Sequence, residues 1–177
     1  TLLMLKPYLK PKAYEWAMDS VIRNICVIGE ISHYEYECVP PDYIMIDENF
    51  MFALMLREYL KDENIPEQRK KRYLERNLKP ILRNLNFILS QVRNNPLIRI
   101  KEGLDCGNWR DANEGLAWGK YPYDVNSVFA PLALLAIKDI LGYVQLSRAF
   151  RLTKKYRLEF MESYLRNAGL FDFLERE

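Results

Sequence analysis

Histidine occurs once in this chain, at His33, and cysteine three times. No apolar run approaches the ~20 residues that cross a bilayer. Each scarcity excludes something. Cys26, Cys38 and Cys106 are odd in number and lack metal-ligand spacing. With a single histidine, no metal site and no cofactor are expected, and a reduced, cytoplasmic setting is the default. The formal net charge of +2 argues for neither a nucleic-acid nor a membrane-surface partner. The longest basic run, "RKKR" at 69–72, reads as a solvated helix face. There is no P-loop and no G-x-S-x-G elbow. The opening "TLLML" is too short for a signal-peptide core, and a start at Thr1 rather than Met reads as a cut.

What is present is a globular composition, 49% hydrophobic and 28% charged over 177 residues, enough for one domain (1–177) with a real core. The patterning is helical nearly throughout. Tyr14, Ala17, Met18, Val21 and Ile22 recur at helical steps over 12–24, after breaks at Pro7 and Pro11. A loop with paired prolines precedes a strongly apolar helix at 47–61, which Asp47 is placed to cap. Residues 67–94 carry one apolar stripe with Lys, Arg and Asn opposite, and Pro80 is expected to kink or split that helix. The segment 124–141 is apolar on nearly every side, so a helix buried all round is expected, ending before Gly142. A further amphipathic helix is expected over 153–166, and short strands are possible only at 43–46 and 98–100.

Buried and half-exposed helices therefore take turns. That alternation predicts an all-α fold of antiparallel helical hairpins with inner and outer helices, part of an α/α toroid. A repeat supports it. "DENFMFA" at Asp47 and "DVNSVFA" at Asp124 share D-x-N-x-x-F-A, and Glu37 and Glu114 each lie ten residues upstream of that aspartate. Phe52 and Phe129 should pack inward. Two long loops would then deliver polar side chains to the same end of two neighbouring inner helices.

Those loops are chemically dense. "GNWRDANEGLAWGKYPYDVN" at 107–126 crowds Trp109, Trp118, Tyr121 and Tyr123 together with Asn108, Asn113 and Asn126 and the acids Asp111, Glu114 and Asp124. A carboxyl beside an indole loses water and holds its proton to higher pH, while Arg110 next to Asp111 pulls the other way. Flat rings for sugar C–H faces and amides for paired hydroxyls describe a carbohydrate cleft better than another ligand class. The plainer alternative is packing and structural ion pairing, which suffices for any one of these residues taken singly. The earlier loop, "GEISHYEYECVPPDYIMIDENF", alternates Glu30, Glu35, Glu37, Asp42 and Asp47 with tyrosines and holds His33. A lone histidine is more often structural than catalytic, though its ordinary pKa suits either role.

At these residues the chain resembles the six-hairpin, α/α-barrel glycosidases that include trehalases and processing α-glucosidases. "GNWRDANEGLAWGKYPYDVNSVFAPLAL" looks like their loop-plus-inner-helix signature, and "GEISHYEYE" with "YIMIDENFMFAL" looks like their G-x-x-x-H-x-E loop and following inner helix. The two stretches cover about a quarter of the chain. In trehalase-like members the tryptophan directly precedes the aspartate, whereas here Arg110 intervenes. The resemblance implies an inverting hydrolase of an oligosaccharide or glucoside, with Asp111 as general acid and Glu35 the best-fitting base ahead of Glu37 and Glu114. The acid and base would stand about 6.5–9.5 Å apart to admit water. Trp109, Arg110, Asn113, Glu114, Trp118, Tyr123, Asp124, Asn126, His33 and Asp47 would line the sugar subsite. About five helices are legible, fewer than a full toroid holds, so the expected partners are a carbohydrate substrate and the remaining part of the barrel. The rival expectation is a non-catalytic helical module that binds carbohydrate or protein.

Overall fold

The computed structural model describes residues 5–33, 40–94, 101 and 126–145. Every regular element among them is helical: a 3-10 turn at Lys6–Tyr8, then α1 (Pro11–Arg23), α2 (Asp47–Lys61), α3 (Glu67–Asn94) and α4 (Asn126–Gln145). The short strand expected at 43–46 does not form; the backbone there is irregular. The expected elements at 98–100 and 153–166 lie outside the described residues.

Pro11 opens α1 rather than preceding it, because a proline at the first helical position has the right φ and lacks only an N–H that would go unused. Tyr14, Met18 and Ile22 form its buried stripe, while Trp16 stands 71% exposed on the other side. α2 is buried on most of its circumference, including Phe50, Phe52, Leu56 and Tyr59. Its N-cap is Ile46, with no side-chain cap, so Asp47 is not the cap. Asp47 instead occupies the first turn, buried, where a carboxylate still meets the positive end of the helix dipole.

α3 runs unbroken through Pro80 and is not split there. The proline removes one N–H, but Leu78, Ile81, Leu82 and Leu85 on either side remain on the core face and hold the register. Two polar residues depart from the expected stripe. Asn84, placed by its type on the water side, is fully buried, and Lys70 of the "RKKR" run is 3% exposed with its ammonium 2.7 Å from Glu67.

α4 begins at Asn126 and continues past Gly142 to Gln145. A glycine there costs about 1 kcal/mol of helix propensity, which the buried Ile140, Leu141 and Val144 around it outweigh. Nor is α4 buried all round: Val128 is 56% and Leu132 40% exposed, and Phe129 is half-buried.

Side-chain contacts fix the directions. Glu15 pairs with Arg69 at 2.6 Å and Asp19 with Arg76 at 2.9 Å, so α1 and α3 run the same way. Tyr14 donates to the carbonyl of Met55 near the end of α2, and the backbone N–H of Ile31, beyond the end of α1, donates to Asn49 near the start of α2. α1 and α2 are therefore antiparallel. Arg57 and Lys61 of α2 both reach Asp139 of α4 at 2.6 Å, and Glu67, just beyond α2, accepts from the hydroxyl of Tyr143. Contacts that advance together along both chains mean that α2 and α4 are parallel. α1 and α3 point one way, α2 and α4 the other. The core lies between them, around Tyr59, which is stacked at 6.4 Å on Tyr14 and tilted against Tyr73 at 5.1 Å.

Candidate functional site

From Asp47 to Arg57 is a rise of about 15 Å and from Asn126 to Asp139 about 20 Å, so the N-terminal ends of α2 and α4 stand within roughly a turn of the same height. This end of the bundle is the rim. The chain leaving α1 folds back on it through a tight turn: Cys26 N–H donates to Glu30 O at 2.9 Å, Gly29 N–H to Cys26 O at 3.1 Å, and Ile25 bridges Ile31. Gly29 has φ +102°, and a Cβ there would lie 2.1 Å from the carbonyl oxygen of Arg83. Only glycine lets the turn sit this close to α3. Asn84 then clamps it, donating to Gly29 O at 2.9 Å and to Asn49 Oδ1 at 3.1 Å.

The next segment is tied to itself. His33 N–H donates to Asp42 O at 2.7 Å, Asp42 N–H to Ser32 Oγ at 3.0 Å, and Ile44 N–H to Asp42 Oδ1 at 2.8 Å. The chain on either side of 34–39, the stretch that holds Glu35, is thus fastened at the rim. Lys101 reaches the same place, its ammonium bonded to the nearly buried carboxylate of Glu30 and to the carbonyl of Tyr43. Asn126, 1% exposed, starts α4 there. Lys101 and Asn126 flank 102–125, the stretch that holds Asp111.

Within the rim the His33 ring bonds Glu48, in the first turn of α2. Glu48 Oε2 is buried with no hydrogen-bond partner among the described residues. Burial, chiefly, pushes the Glu48 carboxyl above its usual range; the bond to His33 opposes this, and the negative charges of Asp47 and Asp42 add to it. Burial therefore prevails over the imidazole. Such a carboxyl keeps its proton to higher pH and can donate it. Among the described residues no group of three His, Cys, Asp or Glu side chains is placed to hold a metal ion.

Of the residues singled out by sequence, His33, Asp47 and Asn126 stand at this end of the helices. Glu35, Trp109, Arg110, Asp111, Asn113, Glu114, Trp118, Tyr123 and Asp124 lie outside the described residues. Sequence reasoning passed over Glu48, Asn49, Asn84 and Lys101. For Asn84 a signal existed: it sits at i+3 from Ile81 and i−4 from Ile88, squarely in the buried stripe. A depression of 440 Å³ lined by Lys6, Leu9, Pro11, Tyr14, Asp62 and Ile65 lies at the opposite end of the helices. Its one carboxylate, Asp62, is already paired with Lys6 at 3.2 Å.

No family model, curated protein or solved structure matches the chain. Among the described residues no helix is long and apolar enough to cross a membrane.

Proposed function

We propose that the rim is the substrate face of a glycoside hydrolase of the α/α-toroid kind, acting on an oligosaccharide or glucoside with Asp111 as general acid. One observation supports this reading above others. The two stretches 34–39 and 102–125, which hold Glu35 and Asp111, are each flanked on both sides by residues placed at one end of the parallel helices α2 and α4. Side chains from separate loops over a rigid helical base are a common way to build a ligand site. Asp111 would protonate the departing glycosidic oxygen while Glu35 draws a proton from water on the opposite face of the sugar, giving inversion. His33, Asp47 and Asn126 form the floor, and Trp109, Trp118 and Tyr123 supply stacking faces. Arg110, Asn113, Glu114 and Asp124 hydrogen-bond the hydroxyls.

The test is a screen of aryl-glycosides and disaccharides with the wild type, Asp111→Asn and Glu35→Gln. Loss of the general acid should cut kcat by about 10²–10⁴, most for poor leaving groups. Turnover unchanged in Asp111→Asn removes that residue from the acid role. Saturable sugar binding without turnover in the wild type would assign the non-catalytic module instead.

A further inference from the structure

α4 carries an apolar stripe that the described residues leave open. Val128, Leu132 and Leu135 recur at i, i+4 and i+7, the first two 56% and 40% exposed and the third half-buried. The remainder of the helix is an inner one: Ala130, Ala133, Leu134, Ala136, Ile137 and Ile140 are buried. A single exposed leucine needs no explanation, but a stripe along an otherwise buried helix marks a missing neighbour. Covering a valine and a leucine is favourable because it removes their apolar surface from water, and this suits a segment that arrives with its own apolar face.

We propose that the occupant is this chain's own segment 153–166, docked on α4 as an antiparallel outer helix. Two features choose it over a second copy or a foreign partner. The first is reach. α4 ends at Gln145, at the end away from the rim, and the turn from α2 to α3 takes only 62–66. Residues 146–152 suffice for such a turn, and a helix of that length returns about 21 Å, from the level of Gln145 to that of Pro131. The second is pattern. Over 73–85 the buried apolar side chains of α3 are Tyr73, Leu74, Leu78, Ile81, Leu82 and Leu85. Moving each by 83 positions gives Tyr156, Arg157, Met161, Tyr164, Leu165 and Ala168. Tyr73 follows the end of its inner helix by 12 residues, and Tyr156 follows Gln145 by 11. The tail thus repeats the apolar spacing of α3 at five of these six positions, with Arg157 in place of Leu74, at nearly the same distance from the helix before it.

An antiparallel return brings Leu132 level with Leu165 and Leu135 with Met161, to within a turn. The test replaces Cys26, Cys38 and Cys106 by Ser in the full chain and adds Leu132→Cys with Leu165→Cys, or Leu135→Cys with Met161→Cys. Trp16→Cys with Leu165→Cys serves as the control on the far face of α1. At least one of the first two pairs should form an intrachain disulfide on mild oxidation while the control pair stays reduced. Crosslinks between chains would assign the stripe to a second copy and overturn the proposal, as would no crosslink in either pair. A second measurement needs no cysteine: Leu132→Asp in the full chain should speed proteolytic cleavage within 146–177 several-fold while α1 to α3 keep their amide protection. Unchanged cleavage also overturns it. Neither experiment involves a sugar, so each outcome is separate from that of the hydrolase reading.

Discussion

At the scale of single residues, the rim depends on a few positions where only one side chain fits. Gly29 is the strictest. Gly29→Ala sets a methyl group against the backbone oxygen of Arg83 at a positive φ, so it should destabilise the chain by more than about 1 kcal/mol, read as a lowered urea midpoint. The far end of the bundle offers a charge test. Glu15 receives two bonds from Arg69, at 2.6 and 3.0 Å, and one from the hydroxyl of Tyr59. Burial works to raise its pKa, but these bonds outweigh it and hold the carboxyl below its usual 4.5. Its stabilising contribution is therefore present above the unfolded value and lost as pH falls through the folded one. Glu15→Gln should cost about 1–3 kcal/mol near neutral pH, and the gap from wild type should close in unfolding curves taken below about pH 4. Part of this detail was legible and part was not. Periodicity placed Tyr14, Leu74 and Ile81 inward because the hydrophobic effect acts on type. It misplaced Asn84, because an amide is buried only where partners such as Gly29 O and Asn49 Oδ1 await it, and those come from distant sequence. It also favoured Asp47 over Glu48, since two adjacent acids on a first turn differ only in the direction they face.

At the scale of elements, helix positions followed from spacing, and the exceptions lie where punctuation by proline and glycine was taken at face value. Pro11, Pro80 and Gly142 all stand inside helices. A helix that buries a full stripe gains several side chains' worth of transfer energy, at about 1.5–3 kcal/mol each, and this exceeds the cost of one missing hydrogen bond. That cost is measurable. Pro80→Ala supplies an N–H for the carbonyl of Arg76, four residues back, and should raise stability by about 2 kcal/mol, seen as a higher urea midpoint with an unchanged slope. A variant no more stable than wild type would mean that the helix had adapted to its proline.

At the scale of the whole molecule, the alternation of buried and half-exposed segments was the most informative feature of the sequence. Every regular element among the described residues is helical, as it predicted, and α2 and α4 run parallel. The D-x-N-x-x-F-A repeat fits that geometry: Asp47 starts one inner helix, and Asn126, two residues after Asp124, starts the other. Sequence could not show which residues fasten the loops. Lys101 finds Glu30 across 71 positions, and His33 finds Glu48 across 15. No local pattern encodes a pairing of that kind.

The only histidine of the chain lies on the rim. One imidazole resonance therefore reports on the proposed substrate face and on nothing else. Titrating the ¹⁵N-labelled protein with a panel of disaccharides should move the His33 ring signals along a saturable curve for at least one sugar, and Asp111→Asn should leave that curve saturable while abolishing turnover of the same sugar. A His33 ring unmoved by every sugar, in a chain whose other amides do respond, would contradict the account.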